Sequence, residues 1–306
     1  MNERNLYDSV FFDEKPLVDY QMREVFDEVM SLHDEKGVAS MLCVMGKRLE
    51  VFSHGMDFPF LVGVATREDV RRQGYFKRLF EKFYRRYRNA GAVGLYPVSD
   101  AYYKGLGFAK LAGRGEISLN GNEKFTLSDL DAPKLAAFAK RDADIYEIID
   151  GRTAERRIGG WRLDGKRAYY LDNGIESGYA VCDGETVCEY SSLELVGRVS
   201  DFCGMTAVTK RGCDTGLGAM WRILNPIAFF DGIRTHCRFD AAFRLTDYDD
   251  TVFGLVADSG KISAVKTDGY DVSVTPGELM AMIADGESEL GKVFVGARTE
   301  FFSEYL

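Results

Sequence analysis

The most regular pattern of hydrophobic and polar positions spans residues 75–88 and predicts an amphipathic helix. Apolar side chains recur there every three or four residues, which places them on one helix face that can pack on a sheet. These apolar positions are Phe76, Leu79, Phe80, Phe83, Tyr84 and Tyr87. The other side is basic, and such a face is most often solvated surface. Gly91 is a suitable C-terminal signal, because glycine often follows the last helical turn.

The residues before this helix predict a strand that runs into a glycine-bearing turn. The strand ends at residues 64–66, and the turn follows at residues 71–74, Arg-Arg-Gln-Gly. A helix N-terminus leaves backbone N–H groups without partners and carries the positive end of the helix dipole, so it favours an anion. Glycine also lets a phosphate approach the backbone closely. The pattern therefore indicates a phosphate-binding turn, with an ordinary turn before a helix as the alternative interpretation.

A second informative segment follows at residues 92–108. A short apolar strand leads into a loop, a brief helix around Tyr102 and Tyr103, and the pair Gly107-Phe108, which opens another strand.

Elsewhere the periodicity predicts alternating helices and strands. Residues 19–32 have helical spacing, and residues 39–45 and 49–52 are predicted strands paired across a Gly46-Lys47 turn. Ser128 or Asp129 can cap a helix that continues through a second segment to Ile149. Further strands are predicted at residues 167–171, 177–181, 186–193, 241–245, 251–256, 261–265 and 270–274, before a helix that starts at 275–278. Strands mixed with crossover helices indicate an α/β fold.

Length and charge narrow the functional classes. With 306 residues the chain exceeds what one hydrophobic core normally supports, so two or three domains are expected. A net charge of −9 argues against a nucleic-acid partner and suits a cationic substrate. No run of about eighteen apolar residues and no apolar signal segment occur, so we expect no membrane partner and a cytoplasmic location.

Cysteine and histidine usage disfavours two kinds of site. The six cysteines include no C-x-x-C pair and only three histidines are present, so we expect no metal site. No G-x-S-x-G elbow accompanies the histidines, which gives a hydrolase triad little support.

The two informative segments together resemble the GNAT family of N-acetyltransferases. Residues 71–76, Arg-Arg-Gln-Gly-Tyr-Phe, are similar to that family's acyl-CoA pyrophosphate loop, Arg/Gln-x-x-Gly-x-Gly/Ala, although Phe76 stands where a small residue is usual. The tyrosine helix and the Gly-Phe pair then follow in the family's order. The resemblance implies acetyl-CoA as cosubstrate.

The whole chain resembles the enhanced-intracellular-survival (Eis) type of acetyltransferase. This resemblance implies tandem GNAT-like mixed sheets with flanking helices, a final α+β domain similar to sterol carrier proteins, and assembly as a homo-oligomer. The expected domains are a catalytic, acetyl-CoA-binding domain at 1–120, a degenerate GNAT-like domain without a second phosphate loop at 121–205, and the sterol-carrier-like domain at 206–306.

The resemblance also assigns candidate site residues. Matching Tyr-x-x-x-Gly-Phe selects Tyr103 as the general acid, and the family's terminal base selects the main-chain carboxylate of Leu306. The cofactor is expected on residues matched to the pantetheine, the pyrophosphate loop and the far side of two splayed strands: Val64, Ala65, Thr66, Arg71, Arg72, Gln73, Gly74, Tyr75, Phe76, Lys77, Val98 and Ser99.

The expected function is acetyl-CoA-dependent N-acetylation of a small cationic amine or a lysine. Strand residues 58–64 contain no Asp or Glu, so the base comes from elsewhere, and Glu304 and water are alternatives to Leu306. Tyr102 is the alternative acid if the register slips by one residue. A CoA-binding or sensor module without catalysis is the alternative function, and lipid carriage by the C-terminal domain is a third.

Overall fold

The computed structural model of the protein describes residues 1–110, 115–138, 145–209, 219–258, 260–285, 288–294 and 299–300. The described helices and strands are, in chain order, α1 (Glu3–Val10), α2 (Lys15–Tyr20), β1 (Glu28–Asp34), β2 (Gly37–Val51), β3 (His54–Thr66), α3 (Tyr75–Tyr87), β4 (Ala92–Leu95), α4 (Asp100–Lys104), β5 (Ala109–Lys110), β6 (Gly115–Ser118), β7 (Thr126–Asp129), α5 (Ala132–Ala137), β8 (Ile145–Glu147), α6 (Gly151–Leu163), β9 (Arg167–Asp172), β10 (Ser177–Asp183), β11 (Thr186–Tyr190), α7 (Leu193–Arg198), β12 (Thr206–Thr209), β13 (Met220–Ile223), α8 (Pro226–Phe230), β14 (Phe239–Leu245), β15 (Thr251–Asp258), β16 (Lys261–Lys266), β17 (Val272–Val274), α9 (Pro276–Asp285), α10 (Glu289–Phe294) and β18 (Thr299–Glu300).

The chain divides into two compact units that do not follow sequence order. As far as the ranges are described, unit 1 comprises Met1–Asp13, Phe26–Leu111 and Leu217–Arg298, and unit 2 comprises Glu14–Val25, Ala112–Gly216 and Thr299–Leu306. Both units contain mixed sheets with helices, which confirms the predicted α/β class. The unit boundaries cut across the three segments expected from the sequence, and the division into three domains stays a prediction.

The main sheet of unit 1 takes its strands from two separate parts of the chain. β1 pairs with β2, and the order continues through β3, β4, β13 and β5. The β3–β4 pair is parallel because α3 connects the two strands as a crossover, and the other pairs are antiparallel. β13 therefore lies between β4 and β5, although unit 2 separates it from them in sequence.

Helix α3 packs its apolar face on this sheet, as the sequence pattern predicts. The buried cluster joins helix residues to strand residues and includes Leu79, Phe80, Phe83, Leu42, Leu61, Val93 and Met220. Burying each such side chain contributes about 1.5–3 kcal/mol, so the cluster fixes α3, and with it the turn at its N-terminus, against the sheet.

The helix predicted for residues 19–32 is wrong in its second half. Helix α2 continues as a π-helical turn at Gln21–Val25 and then ends, and residues 28–34 form β1 instead. Met30 is buried in the unit 1 core from this strand. Its spacing from Phe26 fits a helix by coincidence, which is why the periodicity misled.

The predicted Gly46-Lys47 turn is also wrong. β2 runs through these residues as one long strand, and Gly46 pairs with Pro59 of β3. The hairpin turn lies at Phe52 and Ser53, whose φ angles are 46° and 64°. Turns of this kind normally carry Asn or Gly, so the sequence gives no signal for it.

The helix predicted for residues 128–149 is wrong as well. Residues 126–129 form β7, and α5 is capped by Asp131, whose carboxylate accepts the N–H of Lys134 at 2.9 Å. Residues 145–147 form β8. The following helix α6 was not predicted, because the adjacent glycines Gly159 and Gly160 weaken its helical pattern.

Unit 2 forms a sheet in the order β6–β12–β11–β10–β9–β7, in which β11 and β12 are parallel and the other pairs are antiparallel. Apolar clusters cover both faces of this sheet. A buried ion network joins α6 to two strands, since Arg157 donates to Glu147 at 2.6 Å and to Glu189 at 2.8 Å.

The residues after β13 add a second sheet to unit 1, in the order β16–β15–β14–β17. The strands predicted there are confirmed. Helix α9 begins with Pro276, and Thr275 and Glu278 cap its start reciprocally, with N–H to side-chain distances of 2.7 and 3.2 Å. The likeness of this region to sterol carrier proteins stays a prediction.

Candidate active site

A gap opens in the main sheet of unit 1 where β3 and β4 diverge. The two strands pair at Phe60 with Gly94 and at Leu61 with Leu95, whereas β3 continues to Thr66 beside β2. The chain after β4 leaves the sheet and enters α4. The last residues of β3 thus offer backbone hydrogen-bonding groups to an extended ligand on the side that β4 leaves.

A β-bulge distorts β3 inside this gap. Gly63 and Val64 together lie opposite the single residue Leu42, and Gly63 has a φ of 56°. A Cβ atom on Gly63 would lie 2.7 Å from Cε2 of Tyr7 and 3.2 Å from Sγ of Cys43, so only glycine fits. Bulges of this kind re-aim the backbone next to active sites.

Arg67 ties the start of the turn to neighbouring strand ends. Its nearly buried guanidinium donates to Asp34 at 3.0 Å, to Asp69 at 2.6 Å and to the carbonyl of Val38 at 3.2 Å. The hydrogen bond from Arg67, and then that from Lys36, lowers the pKa of Asp69 to about 2. Sequence reasoning missed Arg67, because two of its partners lie a hairpin away.

The turn itself presents backbone donors. Arg72 and Gly74 have φ angles of 63° and 79°, and Gly74 is the N-cap of α3 without a capping side chain. Within the described part of the chain, the N–H groups of Gly74, Tyr75 and Phe76 have no acceptor. A Cβ atom on Gly74 would meet nothing within 4 Å. Free amides, an open approach and the positive end of the helix dipole are together suited to binding an anion.

A cavity of about 710 Å³ lies over the turn and the gap. This volume is typical of ligand pockets, which span roughly 300–1,000 Å³. It is lined by Val10, Val64, Ala65, Thr66, Val70, Arg71, Arg72, Gly74, Tyr75, Phe76, Lys77, Val98, Ser99, Tyr102, Tyr103, Gly105 and Leu106. Every residue predicted to contact the cofactor is among them except Gln73, whose amide donates to the carbonyl of Asp69 at 3.0 Å within the turn.

The two tyrosines of α4 line this cavity in different environments. Tyr103 is 7% exposed and Tyr102 is 51% exposed. Burial, with a smaller contribution from Tyr102, raises the pKa of Tyr103 to about 12. Its hydroxyl has no hydrogen-bond partner among the described residues, so it remains a protonated donor available to a ligand.

Phe76 belongs to the core beneath the cavity. The side chain is buried and meets the ring of Tyr103 edge-on, with centroids 6.3 Å apart and planes at 87°. It also contacts Phe80 on the next helical turn at 6.2 Å. The unusual phenylalanine therefore packs α3 against the tyrosine helix, while its backbone remains in the turn.

The predicted base lies outside the residues that the structure describes. Leu306 and the alternative Glu304 are not among the described residues.

One cavity thus contains a turn with free amides before a crossover helix, a pair of diverging strands and a buried tyrosine. This combination is typical of an acyl-transferring enzyme with a GNAT-like fold. Residues 4–111 match the family described as Acetyltransferase (GNAT) domain. The chain thus carries a GNAT acetyltransferase domain and is an enzyme of the N-acetyltransferase class.

Several solved structures share the fold over nearly the whole chain. A protein of Enterococcus faecalis V583 described as a probable N-acyltransferase aligns with a TM-score of 0.75 at 10% identity, covering 99% of this chain and 96% of that chain. A GCN5-related N-acetyltransferase from Anabaena variabilis aligns with a TM-score of 0.74 at 12% identity, covering 97% and 95%. Eis1 from Mycobacterium abscessus aligns with a TM-score of 0.68 at 12% identity, covering 92% of each chain. No curated protein sequence matches significantly. These likenesses show the fold alone.

The described residues offer neither a metal-binding cluster nor a helix suited to a membrane. They contain no group of three or more His, Cys, Asp or Glu side chains placed to hold a metal ion. None of their helices is both long and apolar enough to cross a membrane.

Proposed function

We propose that the protein transfers the acetyl group of acetyl-CoA directly to a primary amine of a small cationic acceptor or a lysine. The observation that carries this proposal is that the uncapped N-terminus of α3 and the buried Tyr103 face one cavity. An anion site and a proton donor in one pocket suit a thioester whose far end carries phosphates.

The cofactor would lie along the gap. Backbone groups of residues 64–66 would hold the pantetheine, and the turn from Arg71 to Lys77 would hold the pyrophosphate. Val98 and Ser99 would close the other side. Support comes from the common cavity that these residues line. The basic side chains Arg71, Arg72 and Lys77 add positive charge at the phosphate end.

In the proposed reaction the amine nitrogen attacks the thioester carbonyl carbon, a C–N bond forms and the C–S bond breaks. Tyr103 donates its proton to the departing sulfur, the base accepts the proton that the amine loses, and this proton then returns to the phenolate of Tyr103. The base would be the carboxylate of Leu306, with Glu304 or water as alternatives. A raised pKa keeps Tyr103 protonated at physiological pH, as this role requires.

The acceptor class rests on charge. A net charge of −9 favours a cationic amine over an anionic substrate. Assembly as a homo-oligomer belongs to the same proposal, through the Eis-like fold.

The test combines acetyl-CoA calorimetry with a thiol-release assay over a panel of polyamines, amino sugars and lysine peptides. We expect saturable binding and turnover with at least one amine. Tyr103→Phe should lower kcat by about a hundredfold with little change in acetyl-CoA affinity, because a general acid typically supplies about 10²–10⁴-fold.

Tyr102→Phe is the matched control, since its exposed ring adjoins the same cavity, and its kcat should remain within about threefold of the wild type. The reverse ranking would move the acid to Tyr102. Tight acetyl-CoA binding without turnover of any amine would favour the CoA-binding module instead.

A further inference from the structure

Arg222 of β13 is a buried cation directly behind the tyrosine helix of unit 1. Its side chain is nearly inaccessible, and one terminal nitrogen donates to both carboxylate oxygens of Asp247, at 2.5 and 2.6 Å. The other terminal nitrogen, Nη1, donates to the backbone carbonyl of Leu106. Leu106 itself lines the candidate active-site cavity.

Aromatic rings surround the guanidinium and exclude water. Its carbon lies 5.2 Å from the ring centroid of Phe80, 5.8 Å from that of Tyr84 and 5.6 Å from that of Tyr248. Phe80 and Tyr84 belong to α3, the helix that begins at the anion turn. Hydrogen bonds from the guanidinium are therefore stronger than on the surface, because the local dielectric is low.

The contact with Leu106 continues to Tyr103 through the backbone. The carbonyl of Tyr103 accepts the N–H of Leu106 at 2.9 Å and the N–H of Phe108 at 3.1 Å. Gly107, between them, has a φ of 81°, and a Cβ atom there would lie 2.9 Å from Nη1 of Arg222. The turn that ends the tyrosine helix is thus shaped to receive this guanidinium.

Packing alone does not account for a charge at this position. A buried ion pair gives up the hydration of both ions, and apolar side chains of similar volume usually fill such a space at least as well. A guanidinium held by a carboxylate has a fixed direction, and it transmits that direction to the carbonyl it contacts.

Resting on the proposed acid role of Tyr103, we infer that Arg222, held by Asp247, is a positioning residue that sets the place of the Tyr103 hydroxyl against the thioester sulfur. The residue does not touch the cofactor. It acts on the reaction through Leu106 and the turn after α4.

The test compares Arg222→Lys with Arg157→Lys, a matched control at a buried, doubly paired arginine in unit 2 that has no part in the site. Arg222→Lys should lower kcat about tenfold while KM for acetyl-CoA stays within about twofold, because lysine cannot keep the two-pronged geometry. Arg157→Lys should lower the thermal midpoint but leave kcat per folded molecule unchanged.

A double-mutant cycle with Tyr103→Phe then separates positioning from stability. If Arg222 acts through Tyr103, the lysine substitution has little effect on kcat in the phenylalanine background. An undiminished tenfold loss in that background, or unchanged kcat in Arg222→Lys alone, would overturn the inference.

Amide hydrogen exchange provides a readout that needs no turnover. Exchange at the N–H groups of Leu106 and Phe108 should accelerate in Arg222→Lys and not in Arg157→Lys. If no amine is acetylated by the wild type, the proposed function fails, while this exchange still decides whether Arg222 holds the turn. Equal exchange in both variants would exclude that it does.

Discussion

The two units contain the same crossover built in two ways. In unit 1, β3 and β4 are parallel and joined through α3, and in unit 2, β11 and β12 are parallel and joined through α7. Residues 67–74 separate strand from helix in the first case, whereas Ser191 and Ser192 alone separate them in the second. Helix α3 has 13 residues and α7 has 6.

The short connection in unit 2 uses up its own polar groups. The Ser192 side chain caps α7 by accepting the N–H of Leu195 at 3.3 Å. The hydroxyl of Ser191 accepts the N–H of Tyr179 at 3.0 Å, and the Ser191 N–H donates to the Tyr179 carbonyl at 2.9 Å. In unit 1, by contrast, Gly74 supplies no side-chain cap. The proposed phosphate site in unit 1 would therefore depend on the amides that the connection leaves free, and not on the crossover alone.

Among the changes that test this comparison of the two crossovers, the largest effect is expected from occupying the open turn of unit 1. Gly74→Asp places a carboxylate beside the free amides, and lost donors plus like-charge repulsion, each on the order of 1 kcal/mol, should weaken CoA binding about thirtyfold. Calorimetry with CoA measures this. Gly74→Asn is the control, since asparagine tolerates positive φ without adding charge, and it should weaken binding less than about fivefold. Equal binding by all three proteins would remove the turn as the phosphate site.

A smaller effect is expected from opening the turn of unit 2. Ser192→Ala removes the cap of α7 and should cost about 1 kcal/mol of stability, a decrease of a few degrees in the thermal midpoint. CoA affinity should not change. Tighter CoA binding by this variant would mean that the cap alone had kept unit 2 from accepting phosphate.

The smallest effect concerns pH. The pKa of Asp69 is lowered to about 2 by Arg67 and Lys36. Its contribution to stability is therefore complete above the ordinary aspartate pKa of about 3.9 and is lost as the pH falls towards about 2. The difference in thermal midpoint between the wild type and Asp69→Asn should be constant above about pH 5 and should shrink below it. The difference in thermal midpoint between the wild type and Ser192→Ala should stay constant, since serine does not titrate in this range. If the two differences varied with pH in the same way, the pairing of Arg67 with Asp69 would be contradicted.

Local sequence patterns predicted those structural features of the candidate site that lie close together along the chain. The apolar stripe of α3, the glycine turn and the paired tyrosines all lie within residues 64–108, and their spacing carries the information. The positive-φ turn at Phe52 and Ser53 was missed because its residues are atypical. Arg222 could not be found either, since its partner Leu106 is 116 residues away and nothing near β13 points to it.

Phe76 illustrates a different limit. Phe76 stands where the motif usually has a small residue, and a sequence motif cannot tell where a side chain points. In the structure its ring leaves the turn and enters the core, so the backbone remains open while the side chain stabilises the tyrosine helix.

The place of β13 has a consequence for biosynthesis. A nascent chain that has emerged only to residue 110 already contains every residue that lines the cavity, yet β4 and β5 still lack the strand that joins them. Unit 2 must be synthesised before that strand leaves the ribosome, and such distant pairing is slow to form. The lining of the pocket is therefore encoded early, whereas the sheet that supports it is completed late.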